Sequence, residues 1–279
     1  MAVSEGDAAV LGYQPWQRRA AYERFAALSF AAVFALFGGN LLSLPLVVLL
    51  GLYAYATSLG PLLRFGLRVS LEPGGVRIGE RFYPKERFAG LEGPLGPWTR
   101  WEVWPGVWSS YRFRLRLGWR FRTDPLFHLL FGEERVPLWL DLPGWDRMLA
   151  HLGLDWRKYP GLRRYLHTAR GLAWLNGLLY PPVEAEGPWR EARGRYRRVC
   201  AWMWAGAGLG VSGFAFSLFA LFLGANVWPV VGLAPLALGL VLLAYPFLTA
   251  FNFGRGRPGW AVAYNPLVPL EASLTGEKG

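Results

Sequence analysis

Two long runs of the chain carry no charged side chain, and the rest is broken every few residues by Arg, Asp, Glu, Gly or Pro. Residues 25–63 make one run of 39 positions and residues 199–254 a second of 56, whereas one membrane-spanning helix needs about 20 apolar residues. Each run is therefore long enough to cross a bilayer twice. Turn signals fall where such hairpins need them. Gly38-Gly39-Asn40 divides the first run, with Ser43 as an N-cap and Pro45 in the first turn, and Gly224-Ala225-Asn226 followed by Pro229 divides the second. The pattern predicts helices at about 22–40 and 44–63, and a second hairpin over 199–254.

From residue 64 to about 182 the period changes to short alternating runs. Leu67-Arg68-Val69-Ser70-Leu71-Glu72 alternates as a half-buried strand, Pro73-Gly74-Gly75 turns the chain, and Val76-Arg77-Ile78 begins the return. Residues 111–117 alternate strictly between apolar and Arg, and the phase persists through Gly118 to Arg122. The period of two thus sets Arg112, Arg114, Arg116, Arg120 and Arg122 on one face and six apolar residues on the other. Residues 136–142 read as a last strand. Trp145, Met148, Leu149 and Leu152 then recur at helical spacing until Gly153 stops them. Farther on, Leu162, Tyr165, Leu166, Ala169, Leu172, Ala173 and Leu179 share one helical face, which fits either the headgroup layer of a membrane or the surface of the preceding domain.

Composition sharpens the picture. The 279 residues are 53% hydrophobic and only 18% charged, with a mean hydropathy of +0.21, a net charge of +11 and a pI near 10.1. Such a balance belongs to a membrane protein with one basic soluble module. Lysine is confined to Lys85, Lys158 and Lys278 and isoleucine to Ile78, the codon signature of a GC-rich, thermophilic bacterium, which accounts for part of the arginine excess. Arginines flank both apolar runs: Arg18, Arg19 and Arg24 before the first, Arg64 and Arg68 after it, Arg190 to Arg198 before the second, and Arg255 and Arg257 after that. Cationic residues stay on the cytoplasmic side. The expected topology is multi-pass in the inner (plasma) membrane, with both termini and the middle region cytoplasmic. The halves also share a pattern, Phe34-Ala35-Leu36-Phe37 beside Phe219-Ala220-Leu221-Phe222, each followed by a Gly-Asn turn; duplication and chance similarity between apolar segments both account for it.

Leu71-Glu72-Pro73-Gly74-Gly75-Val76-Arg77-Ile78-Gly79, together with the final strand and helix over 136–152, resembles the bacterial pleckstrin-homology-like domains found beside transmembrane hairpins. The Trp- and Pro-rich stretch 93–110 stands outside that pattern. The resemblance implies a partly open β-barrel closed by a helix, binding lipid or protein without catalysis.

Two clusters are candidate sites. The arginine row suits anionic lipid phosphates or an acidic partner through paired N–H donors, though the solvent face of a strand in an Arg-rich protein carries the same pattern. Trp98, Trp101, Trp104 and Trp108 suit the membrane interface, where indole is half buried and its N–H stays wet, and equally a hydrophobic core. No phosphate-binding loop, nucleophile elbow or histidine pair at metal-ligand spacing occurs in the sequence. Neither apolar run holds an Asp, Glu, Lys, Arg or His, which argues against a proton-coupled transporter. The lone Cys200 excludes an intrachain disulfide. Asp141 and Asp146 are set aside as an acid–base pair, because Asp at a strand-to-helix junction ordinarily serves the turn or the cap. Nucleic acid is an improbable partner, since the arginines are dispersed along flanks that topology explains.

The expected architecture is membrane α-helical hairpins plus a mainly-β, pleckstrin-homology-like cytosolic domain, α+β overall. Its divisions are 1–63 (polar segment and first hairpin), 64–155 (β domain with terminal helix), 156–198 (amphipathic helix and basic linker), 199–254 (second hairpin) and 255–279 (tail). The expected function is that of a non-catalytic adaptor or scaffold without cofactor or metal, in contact with the bilayer, anionic lipid or another membrane protein. The alternative is an accessory subunit of a membrane transporter or larger membrane complex.

Overall fold

The computed structural model describes residues 9–37, 43–54, 58, 60–93, 111–116, 120–125, 127–224, 228–252 and 258–269. It is a mixed α+β protein that divides into two units, one of residues 1–186 with 265–279 and one of residues 187–264.

In the first unit, β1 (Ala9–Gly12), β2 (Arg68–Glu72), β3 (Gly75–Ile78) and β4 (Arg81–Pro84) form an antiparallel sheet in that order. The predicted hairpin around Pro73-Gly74 is its centre, with Val69 opposite Ile78 and Leu71 opposite Val76. Ala9–Gly12, within the polar segment ahead of the first apolar run, pairs with β2 from Ala9↔Leu71 to Gly12↔Arg68. Four residues are too few for a period-two signal to stand out; the strand exists because β2 offers an open edge and Leu11 fills the core beneath it. A second sheet joins β5 (Phe88–Glu92), β8 (Phe127–Phe131) and β9 (Glu134–Leu138), with a bulge between Phe88 and Gly90. Val69, Val76, Phe127, Leu129, Val136 and Leu138 are buried, each alternating along its strand with a more exposed neighbour or a turn.

The last strand stops at Leu138, four residues short of the expected end. Trp139 to Gly144 turn instead, and α4 (Trp145–His151) follows. Its spacing is as the sequence predicts: Trp145, Met148, Leu149 and then Leu152 are buried, and Gly153 ends the helix at φ +88°. His151 Nε2 lies 2.8 Å from the Glu72 carbonyl and 3.1 Å from that of Gly75. Only a protonated Nε2 can serve both acceptors, so the ring donates and ties α4 to the β2–β3 turn.

The amphipathic segment beyond is two helices, α5 (Pro160–Thr168) and α6 (Gly171–Leu175), separated by extended backbone at Ala169 and Arg170. Leu162, Tyr165, Leu166, Ala169, Ala173 and Leu179 are buried within the protein, so that face packs on the unit and is not available to a headgroup layer. The break is capped from far along the chain. The Asn265 side-chain amide donates to the carbonyls of Leu166 and His167 at 3.0 Å and of Ala169 at 3.3 Å, taking the acceptors that a helix C-terminus leaves without intrahelical partners. Replacing Asn265 by Leu is expected to cost about 1–3 kcal/mol, the penalty for stranding buried carbonyls, measurable as a lowered thermal midpoint.

The first apolar run gives α1 (Pro15–Phe37), α2 (Ser43–Ala54) and a turn of helix, α3 (Gly60–Leu63), with α1 packed against α2. Helix α1 begins seven residues earlier than its apolar content indicated, because Pro15 suits a first helical position and Arg18, Arg19 and Glu23 lie on exposed positions of its first turns. The turn at Gly38-Gly39-Asn40 lies outside the described residues.

The second unit contains most of α7 (Glu186–Phe222), with α8 (Trp228–Phe251) and α9 (Trp260–Ala263). Among the described residues, α7 and α8 are the helices long and apolar enough to cross a membrane. They run antiparallel on either side of a turn whose Gly224 takes φ +69°. The seam between them is nearly bare backbone. A Cβ on Gly239 would sit 2.4 Å from the Gly210 nitrogen, one on Gly206 2.7 Å from the Gly239 oxygen, and one on Gly213 2.6 Å from the Leu236 nitrogen. Small residues let helices approach this closely and gain dispersion contacts along the seam. Pro235 and Pro246 lie inside α8. Outward from the seam, Phe214, Phe219, Val230, Leu240, Val241 and Leu248 are exposed.

Candidate functional site

The strand-to-helix corner after β9 places a carboxylate in an apolar run, Leu138-Trp139-Leu140-Asp141-Leu142. Leu140 and Leu142 are buried, and Asp141 between them is only 2% exposed. A carboxylate withdrawn from water is tolerable only with a cation and donors around it. Both arrive from the first apolar hairpin. Arg64, the residue after α3, donates from Nη2 to Asp141 Oδ2 at 2.9 Å with its own side chain 16% exposed, and Tyr13, just before α1, donates its hydroxyl to Asp141 Oδ1 at 3.0 Å. Gln17, in the first turn of α1, donates from Nε2 to the Asp141 carbonyl at 2.8 Å and accepts the Gln14 N–H at 2.9 Å. The Tyr13 and Phe65 rings lie 5.2 Å apart.

The network continues through Tyr180. Its N–H donates to the Leu140 carbonyl at 2.8 Å, its carbonyl accepts the Trp145 indole N–H at 2.8 Å, and its hydroxyl donates to Glu186 Oε1 at 2.8 Å. Trp16 packs its ring where a Cβ on Gly177 would stand, at 2.7 Å, and Arg24 Nη1 donates to the Asn176 carbonyl at 2.5 Å. Both ends of the first apolar hairpin are thereby fastened to one corner of the β domain. With Oδ1 and Oδ2 each accepting a hydrogen bond from the chain itself, Asp141 acts as a clamp. Beyond the local turn chemistry expected of an Asp at this junction, it holds partners 77 and 128 residues away.

Burial first, and then the adjacent Asp141 charge, push the Tyr13 hydroxyl well above the ordinary phenol range, with Arg64 acting in the opposite sense. The residue as a whole is only half-buried, but its hydroxyl end is the part enclosed by the pair. A raised folded-state value means that the folded protein holds the proton more tightly than the unfolded chain. The stabilisation is therefore complete below the unfolded phenol value near 10 and is lost as pH rises above it. Tyr13→Phe is expected to flatten the fall in stability above pH ~10 while costing about 1 kcal/mol at neutral pH, as read from thermal midpoints across pH.

The arginine row occupies a different arrangement from the single strand its phase implied. It folds into a hairpin, β6 (Tyr111–Arg116) and β7 (Arg120–Pro125), forming a two-stranded sheet of its own. The register pairs Arg114 with Arg122, Arg116 with Arg120, and Arg112 with Asp124. Directly opposed residues share a face, so the ladder assigns all five arginine positions to one face, joined by Asp124. Trp98, Trp101, Trp104 and Trp108 lie outside the described residues.

An open groove of ≈ 490 Å³ runs beside α4, lined by Asp146, Arg147, Asp155, Trp156, Arg157 and Glu184 among others. Asp146 Oδ2 accepts the Val183 N–H at 2.8 Å, and burial holds its carboxyl above the usual range. Arg157 is ion-paired with Glu184 and lies over the Trp156 ring, 5.5 Å from its centroid. Asp155 accepts the Arg157 N–H at 3.0 Å. Among the described residues no three His, Cys, Asp or Glu side chains gather as a metal site. No family model, curated protein or solved structure matches this chain.

Sequence reading missed Tyr13, Gln17 and Arg64 as functional partners. Arg64 was absorbed by the positive-inside pattern. The available signal was Asp141 itself, a lone carboxylate among leucines, which demands a cation without saying which one.

Proposed function

We propose that the chain is a non-catalytic integral membrane adaptor or scaffold. Its two helical hairpins span the inner membrane with both termini cytoplasmic, and its pleckstrin-homology-like β domain binds anionic lipid or an acidic protein through the face bearing Arg112, Arg114, Arg116, Arg120 and Arg122. The observation that carries this reading is the Asp141 clamp. A buried ion pair that fastens the two ends of an apolar helical hairpin to a β domain suits a protein that holds a binding module at fixed geometry beside a membrane. The glycine seam and outward apolar faces of α7 and α8 support the membrane assignment, since water would penalise so much contiguous apolar surface. Those same faces suit partner helices, which favours the accessory-subunit alternative wherever another membrane protein copurifies.

Hydrogen exchange on the full chain in nanodiscs tests the proposal. Amides of β6 and β7 are expected to gain protection in discs containing phosphatidylglycerol over discs of phosphatidylcholine alone, and to lose that gain when Arg112, Arg114 and Arg116 are changed to Ser. Equal exchange in both discs removes the lipid arm and leaves a protein partner. Release of the chain from membranes by alkaline carbonate refutes the membrane assignment altogether.

A further inference from the structure

Helix α7 carries five arginines, Arg190, Arg193, Arg195, Arg197 and Arg198, ahead of its apolar stretch. They are not equivalent. Arg193 lies over the Trp189 ring at 5.7 Å, and Arg195 lies over the Trp260 ring at 4.5 Å, where α9 returns beside the helix. Arg197 and Arg198, nearest the apolar stretch, are exposed and have no protein partner among the described residues.

The next aromatic residues along the helix are Trp202 and Trp204, 56% and 49% exposed. The seam fixes what stands level with them. Gly206 lies against Gly239 and Leu243, and Gly213 lies against Gly232 and Leu236, so each step forward along α7 is a step back along α8. Trp202 therefore stands level with Tyr245, itself 71% exposed. Three exposed aromatic side chains at one level are poorly explained by water and well explained by a membrane interface. From Trp202 to Phe222 the helix rises about 30 Å, the thickness of a bilayer's hydrocarbon core.

Helical spacing then sets the arginines. Arg198 is four residues before Trp202 and Arg197 seven before Trp204, so each shares a helix face with its tryptophan, about 6 and 10 Å farther from the apolar core. That is the depth of the phosphate layer. We propose that Arg197 and Arg198, with Trp202, Trp204 and Tyr245 as an aromatic collar on their core side, form a binding site for the phosphate of anionic phospholipid, separate from the arginine face of β6 and β7. The guanidinium forks bind phosphate oxygens and the indoles pack on the glycerol and upper acyl region. This site rests on the membrane reading given above.

The test uses the full chain in nanodiscs of mixed phosphatidylcholine and phosphatidylglycerol, with spin-labelled versions of each lipid reporting the immobilised fraction. Wild type is expected to immobilise phosphatidylglycerol preferentially, and Arg197→Gln with Arg198→Gln to lower that preference by about fivefold for each arginine removed. The charge-matched control Arg163→Gln with Arg164→Gln, on exposed positions of α5, is expected to retain it. An unchanged preference in the α7 variant, or an equal loss in the control, overturns the site. Alkaline carbonate extraction is run beside it: a chain that stays in the membrane while failing the spin-label test rejects this site alone, and a chain that is extracted rejects the membrane reading with it.

Discussion

Asp141→Ala is expected to destabilise the protein by about 3–5 kcal/mol, the usual cost of removing one partner of a buried ion pair. The reason is the group left behind. Arg64 keeps a side chain only 16% exposed and loses its carboxylate, and the Tyr13 hydroxyl loses its acceptor. Asp141→Asn is expected to cost less, since its amide oxygen still accepts one hydrogen bond and the Gln17 bond to the main-chain carbonyl is untouched. Combining Asp141→Leu with Arg64→Met is expected to recover part of the loss, because a buried guanidinium that has lost its carboxylate is worse than an apolar side chain in its place. Thermal unfolding of the detergent-solubilised chain gives the ranking. Limited proteolysis supplies a second readout, with cleavage expected to rise around residues 64–68 and 9–14 as the hairpin ends come away from the domain corner. Equal midpoints for Asp141→Ala and wild type would show that the pair holds nothing.

Gly239→Leu should be the most damaging substitution in the second unit. The added Cβ alone would meet the Gly210 nitrogen at 2.4 Å and the Gly206 oxygen at 2.6 Å. Both are backbone atoms of α7, which cannot swing aside as a side chain can, so the helices must separate along the seam. Overpacking of ordinary cores costs about 1–3 kcal/mol. Here the loss should reach or exceed the upper end, because every contact along the seam depends on the same close approach. Gly208 supplies the control. It belongs to the same helix, but a Cβ there meets nothing within 4 Å, and Gly208→Ala is expected to leave the midpoint unchanged or raise it slightly through helix propensity. Equal losses at positions 208 and 239 would indicate that glycine acts through α7 and α8 individually and not through their contact.

Local signals carried a good part of the fold. The β2–β3 hairpin was legible because Pro73-Gly74 separates two alternating runs, and α4 because Trp145, Met148, Leu149 and Leu152 repeat at helical spacing. Both features are written within a dozen residues. Where reading failed, the deciding contact was distant. Ala9–Gly12 is a strand only because β2 presents an edge to it. The continuous helical face from Leu162 to Leu179 breaks at Ala169, whose neighbouring carbonyls are satisfied by Asn265 about a hundred residues later. The arginine row falls on two strands paired antiparallel, with Arg114 opposite Arg122 and Arg116 opposite Arg120, a division that its uninterrupted phase concealed.

The sequence by itself determined the apolar segments, the basic flanks beside them and the alternation of the β strands, because charge, hydrophobicity and period are properties of neighbours along the chain. Only the tertiary structure decided that Asp141 belongs to Arg64 and Tyr13, that Arg193 and Arg195 rest on tryptophan while Arg197 and Arg198 remain outside, and that the glycines of α7 face those of α8. An ion pair, a stacked ring and a helix seam are each set by groups that meet only after folding, and a buried charge states its need for a partner without naming one.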